Sequence, residues 1–76
     1  MNRTAEADAA ACAYYLAELQ RDRDRGRFQA AVDAFLVRHK DKGLPVGTLR
    51  QILANAYLTA APDDPEGRQL IHGPKR

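Results

Sequence analysis

The chain has 76 residues, 45% hydrophobic and 29% charged, a globular balance rather than a disordered one. Its length suits one domain that buries only about 60% of its unfolded surface. A formal net charge of +2 permits an acidic partner without demanding one. One cysteine rules out an internal disulfide and points to a reducing cytoplasm. No segment approaches the ~20 apolar residues that span a bilayer, and MNRTAEADAA carries acids where a secretory leader needs an apolar run.

The first helix is expected over 4–25. Thr4 is a suitable N-cap, and Glu6 and Asp8 fall where the helix dipole favours negative charge. Ala5, Ala9, Cys12, Leu16 and Leu19 form a core-facing stripe that Tyr15 widens. Arg21, Arg23 and Arg25 suit the end of this helix, and Gly26 suits the left-handed position after it. A single kinked helix through this point is the alternative. The second helix is expected over 27–42, with Phe28, Ala31, Val32, Phe35, Leu36 and His39 facing the core and Gly43 as its cap.

The strongest helix signal lies at 48–61. Thr48 and Gln51 spell a capping box, T-x-x-Q, and Pro62 forbids continuation. Leu49, Ile52, Leu53, Ala56, Tyr57 and Ala60 recur at helical spacing. Asp64 before Pro65, with Glu66 following, restarts a short helix over 65–71 that places Leu70 and Ile71 as a lid; Gly67 weakens it. Residues 73–76 read as a loose basic tail. The pattern is an all-α fold, a small three-helix bundle with a short fourth C-terminal helix. Its core is Leu16, Leu19, Phe28, Val32, Phe35, Leu36, Leu49, Ile52, Leu53 and Tyr57.

The residues assemble no catalytic or metal-ligating motif. Cys12 lies on an Ala/Leu stripe, His39 ends a core face, and His72 sits beside the tail, with no ligand spacing between the histidines. The five glycines form no phosphate loop. No enzyme activity, cofactor or metal is therefore expected. The leading expectation is a protein-binding module, an adaptor or an inhibitor of a larger complex, nucleoprotein complexes included. Its contacts would be Tyr14, Ala34, Val37 and Leu58, apolar residues that a three-helix core leaves over. Homodimerisation is compatible with this surface, and a membrane partner is not expected. In size and composition alone the chain resembles the small helical inhibitors of bacterial phages and mobile elements, anti-CRISPR proteins among them.

The alternative is a helix-turn-helix DNA binder that uses the 48–61 helix for recognition. Thr48, Arg50, Gln51 and Asn55 would face the major groove, and Arg38, Lys40 and Lys42 the phosphates. His39 stands where that motif usually packs a small residue such as Ala.

Overall fold

Leu16, in the second half of the first helix, has no exposed surface and is one of the large side chains fully buried in the core. A computed structural model describes residues 3–73 and places four helices, α1 (Arg3–Arg21), α2 (Arg25–Lys40), α3 (Val46–Ala60) and α4 (Pro65–His72), with no strand among the described residues. The fold is all-α, a three-helix bundle closed by a short fourth helix. Helix α2 returns alongside α1, α3 packs most extensively against α1, and α4 lies chiefly against α3. The Cα radius of gyration is 11.4 Å, as size scaling gives for a globule of this length. Among the described residues, no helix is long and apolar enough to cross a membrane.

The expected core is buried except for Ile52, which is half-buried. Phe28 and Tyr57 meet edge to face with ring centroids 5.8 Å apart, an arrangement that ring quadrupoles favour. Along α1 the stripe differs by one position. Ala13 is buried whereas Cys12 is half-buried at the edge, and Tyr15, expected to widen the core, is 47% exposed. Ala5, Ala9, Leu16 and Leu19 of the expected stripe are buried, and Ala13 takes the place of Cys12 in the core.

The helix ends correct several expectations. Helix α1 is already helical at Arg3, so Thr4 lies inside its first turn; the cap position before it is outside the described residues. It stops at Arg21, not at 25. The Arg23 amide donates to Gln20 O at 2.9 Å and the Asp24 amide to Leu19 O at 3.1 Å, the paired bonds of a Schellman stop. The left-handed residue is therefore Arg23, at φ 61°, and Gly26 is an ordinary member of α2. Asp24 caps α2 by accepting from the Arg27 amide, so the chain breaks into two helices and does not continue as one kinked rod.

Helix α2 ends at Lys40, two residues early, and the chain then turns through Gly43 at φ 87°. The Thr48–Gln51 box does not form. Pro45 occupies the N-cap, and its carbonyl accepts from the Leu49 amide at 3.0 Å, so Val46 and Gly47 are already helical and Thr48 sits within the first turn. Proline fixes its own φ at a value suited to this entry but offers no side-chain acceptor, so α3 starts without a side-chain cap hydrogen bond.

Helix α4 follows the sequence closely. Asp64 accepts from the Gly67 amide at 3.2 Å, Pro65 begins the helix, and Ile71 is fully buried as part of the lid. Gly67 has a packing role: a Cβ there would meet Tyr57 Oη and come within 2.8 Å of Asp64 Oδ2. Of the tail expected at 73–76, residues 74–76 lie outside the described residues.

Candidate functional site

Antiparallel α1 and α2 enclose an open groove of about 500 Å³ on the flank not filled by the core. Its floor is alanine: Ala11 from α1 and Ala30, Ala31 and Ala34 from α2, with half-buried Cys12 beside them. Tyr15 and Arg27 stand at one end, Asp8 and Arg38 at the other. Small side chains let the two helices lie close and leave a shallow apolar channel along their seam. The groove follows from helical spacing, since Ala11 and Tyr15 are four apart, as are Ala30 and Ala34.

The Asp8 end is held by a polar clasp. Asp8 Oδ2 accepts from Arg38 Nε at 2.8 Å, from Arg38 Nη2 at 2.5 Å and from His39 Nε2 at 2.7 Å. Burial disfavours the Asp8 carboxylate, but the His39 and Arg38 hydrogen bonds and charges outweigh it and hold its pKa below the usual value. His39 is only 2% exposed, packs against Phe35 at 4.8 Å between centroids, and leaves Nδ1 buried without a hydrogen-bond partner among the described residues. Asp8 accepts at Nε2, so that nitrogen carries the proton of the contact and Nδ1 is the ring atom left over.

No hydrogen bond joins Cys12 to His39 among the described residues. Burial, followed by the charge of Asp8, pushes the Cys12 thiol up against the smaller pull of Arg38, which keeps it in the unreactive protonated form. Among the described residues, no three His, Cys, Asp or Glu side chains are placed to hold a metal ion.

Of the residues expected at a protein interface, Ala34 lines the groove. Tyr14 is 68% exposed and lies one turn from Ala11, on the outer flank of α1. Val37 is 63% exposed and lies one turn from Ala34, on the outer flank of α2. Leu58 is 38% exposed on α3, away from the groove, and shares a face with Gln51 and Asn55.

The residues expected to contact nucleic acid are dispersed in their commitments. Arg38 is spent on Asp8, and Arg50 Nη1 donates to the Ile71 carbonyl at 2.7 Å, satisfying the end of α4. Gln51 Nε2 donates to Asn55 Oδ1 at 3.0 Å. Thr48, Gln51 and Asn55 are exposed along one face of α3, and Lys42 is exposed in the α2–α3 turn.

Reading the sequence alone misses Ala11, Tyr15, Arg27 and Ala31 as one surface. The signal was present as alanine at four-residue spacing beside a tyrosine, but which neighbour faces those alanines is decided by how the helices pair. No protein-family model matches the chain, and no curated protein or solved structure matches it either.

Proposed function

We propose that the protein is a non-enzymatic binding module that presents the α1–α2 groove to a protein partner. One observation carries this reading: an alanine-floored channel on α1 and α2, with Tyr14 and Val37, the two most exposed large hydrophobic side chains among the described residues, each one helical turn from a lining alanine. Apolar surface left in water costs free energy, and a contiguous patch with a charged rim is the composition that partner surfaces use. Both walls are regular helices, so little order has to be gained on binding. An adaptor or an inhibitor of a larger complex in the cytoplasm needs no more than such a surface.

The nucleic-acid reading is disfavoured because Arg38 and Arg50, the two strongest candidate contacts, already serve internal acceptors. Each would have to abandon a charge-assisted hydrogen bond before reaching DNA.

The test compares capture of binding partners from bacterial lysate by the wild-type protein and by Ala34→Arg, with and without nuclease. Ala34 is exposed, so the arginine blocks the channel without entering the core. The expected result is a captured protein that survives nuclease and is lost with Ala34→Arg. Capture that ignores the substitution, or that disappears with nuclease, overturns the proposal.

A further inference from the structure

Resting on the groove reading, we infer that the groove's occupant is an amphipathic helix bearing acidic residues at the end that meets Arg27.

Backbone chemistry selects a helix. The lining residues of both walls lie within α1 and α2, where amides and carbonyls are already paired along the helix. The channel therefore offers no open backbone edge for an extended peptide to pair with. A segment that buries itself there must satisfy its own peptide groups, and a helix does so.

Size agrees. From Asp8 to Tyr15 the α1 wall spans seven steps, about 10 Å at helical rise. This is two turns of a docked helix, enough for anchors at i, i+3 or i+4, and i+7. The alanine floor lets such a rod approach closely.

Charge selects acidity. The acidic and basic side chains lining the channel are Asp8, Arg27 and Arg38. Asp8 is compensated by Arg38 and also accepts from His39 Nε2. Arg27 pairs with no carboxylate within 4.0 Å among the described residues, and its backbone amide, not its guanidinium, is what Asp24 receives. Glu18 continues the Ala11–Tyr15 stripe of α1 one turn further on, but it is not part of the lining and makes no ion pair with Arg27 within 4.0 Å. The channel thus carries one uncompensated positive charge beside Tyr15, and a guest carboxylate there gains a charge-assisted, planar match to the guanidinium.

The experiment titrates the full chain with three synthetic amphipathic peptides that share one Leu/Ala face and carry Glu, Gln or Lys beside it. Binding is read by fluorescence anisotropy at low and high salt. The Glu peptide should bind about fivefold tighter than the Gln peptide and lose that margin at high salt, with the Lys peptide weakest. Arg27→Glu should reverse the order, and Ala34→Arg should abolish binding by all three. In the unmutated protein, amide shifts of Ala11, Ala30 and Ala34 should move with the Glu peptide.

Equal affinity for the three peptides, still lost with Ala34→Arg, overturns the acidic assignment and leaves the groove reading standing. If no peptide binds while lysate capture remains sensitive to Ala34→Arg, the helical occupant is overturned. A concentration-dependent dimer in the ultracentrifuge that Ala34→Arg dissociates makes a second copy the occupant, and also overturns it.

Discussion

Tyr57 is the residue at which three of the four helices are joined. Its ring is buried against Phe28, and its hydroxyl donates to Asp64 Oδ2 at 2.5 Å, while the other Asp64 oxygen caps α4. Gly67 completes the contact, because any Cβ at that position collides with the phenol. Gly67→Ala should therefore destabilise the fold by about 1–3 kcal/mol, the usual cost of overpacking, despite the better helix propensity of alanine. Tyr57→Phe removes the oxygen that Gly67→Ala would strike. The double variant should lose less than the sum of the two single variants in urea unfolding, a coupling that a double-mutant cycle measures directly. Strict additivity would mean that the Gly67 contact does not constrain the packing of α4.

At the level of elements, the turn between α1 and α2 shows what the sequence states and what it conceals. Helices, their order and most of the core follow from apolar spacing, because a buried face must recur every 3.6 residues whatever its neighbour. Asp64–Pro65–Glu66 marks the start of α4 because each residue suits one local position. The α1–α2 break was legible in RDRDRG, but its detail was not. Gly26 is the residue that tolerates a left-handed conformation, yet Asp24 makes a better cap for α2, and the chain bends through Arg23 instead. Cap competition of this kind is decided by hydrogen bonds between residues that the sequence merely juxtaposes. The groove was less legible still, since alanine spacing does not say whether a seam is covered. A left-handed non-glycine residue costs roughly 1–2 kcal/mol, partly offset in a glycine replacement by its greater unfolded freedom. Arg23→Gly should thus stabilise the protein by about 0.5–1 kcal/mol. Gly26→Ala, at a helical position with nothing within 4 Å of a new Cβ, should add a similar amount. Thermal melts of the single and double variants check both, and a loss with Arg23→Gly would contradict the assigned stop.

Across the whole molecule, stability depends on pH through two clasps at opposite ends of the scale. Asp8 bridges α1 to α2, and its pKa is lowered in the folded protein. Its contribution is present above the ordinary aspartate value of about 4 and fades as pH falls through the lower native value, because protonation then favours the unfolded chain. Tyr57 acts in the other direction. Burial, together with its hydrogen bond to Asp64 and that residue's charge, raises its pKa well above the ordinary value of 10.0. Its contribution is complete below about 10 and declines as pH rises further, since the unfolded phenol ionises first while the native one stays protonated. Urea midpoints collected from acid to alkaline pH should therefore form a dome. Asp8→Asn should narrow its gap from wild type as pH drops below about 4, and Tyr57→Phe should flatten the alkaline fall while leaving the acid limb unchanged. The two limbs also loosen different parts of the fold, the α1–α2 seam in acid and the α4 lid in alkali. Hydrogen exchange should report Asp8 and Arg38 neighbours opening first at low pH and residues 65–72 opening first at high pH; the same order at both extremes would show that the helices separate as one unit and that neither clasp governs its own end.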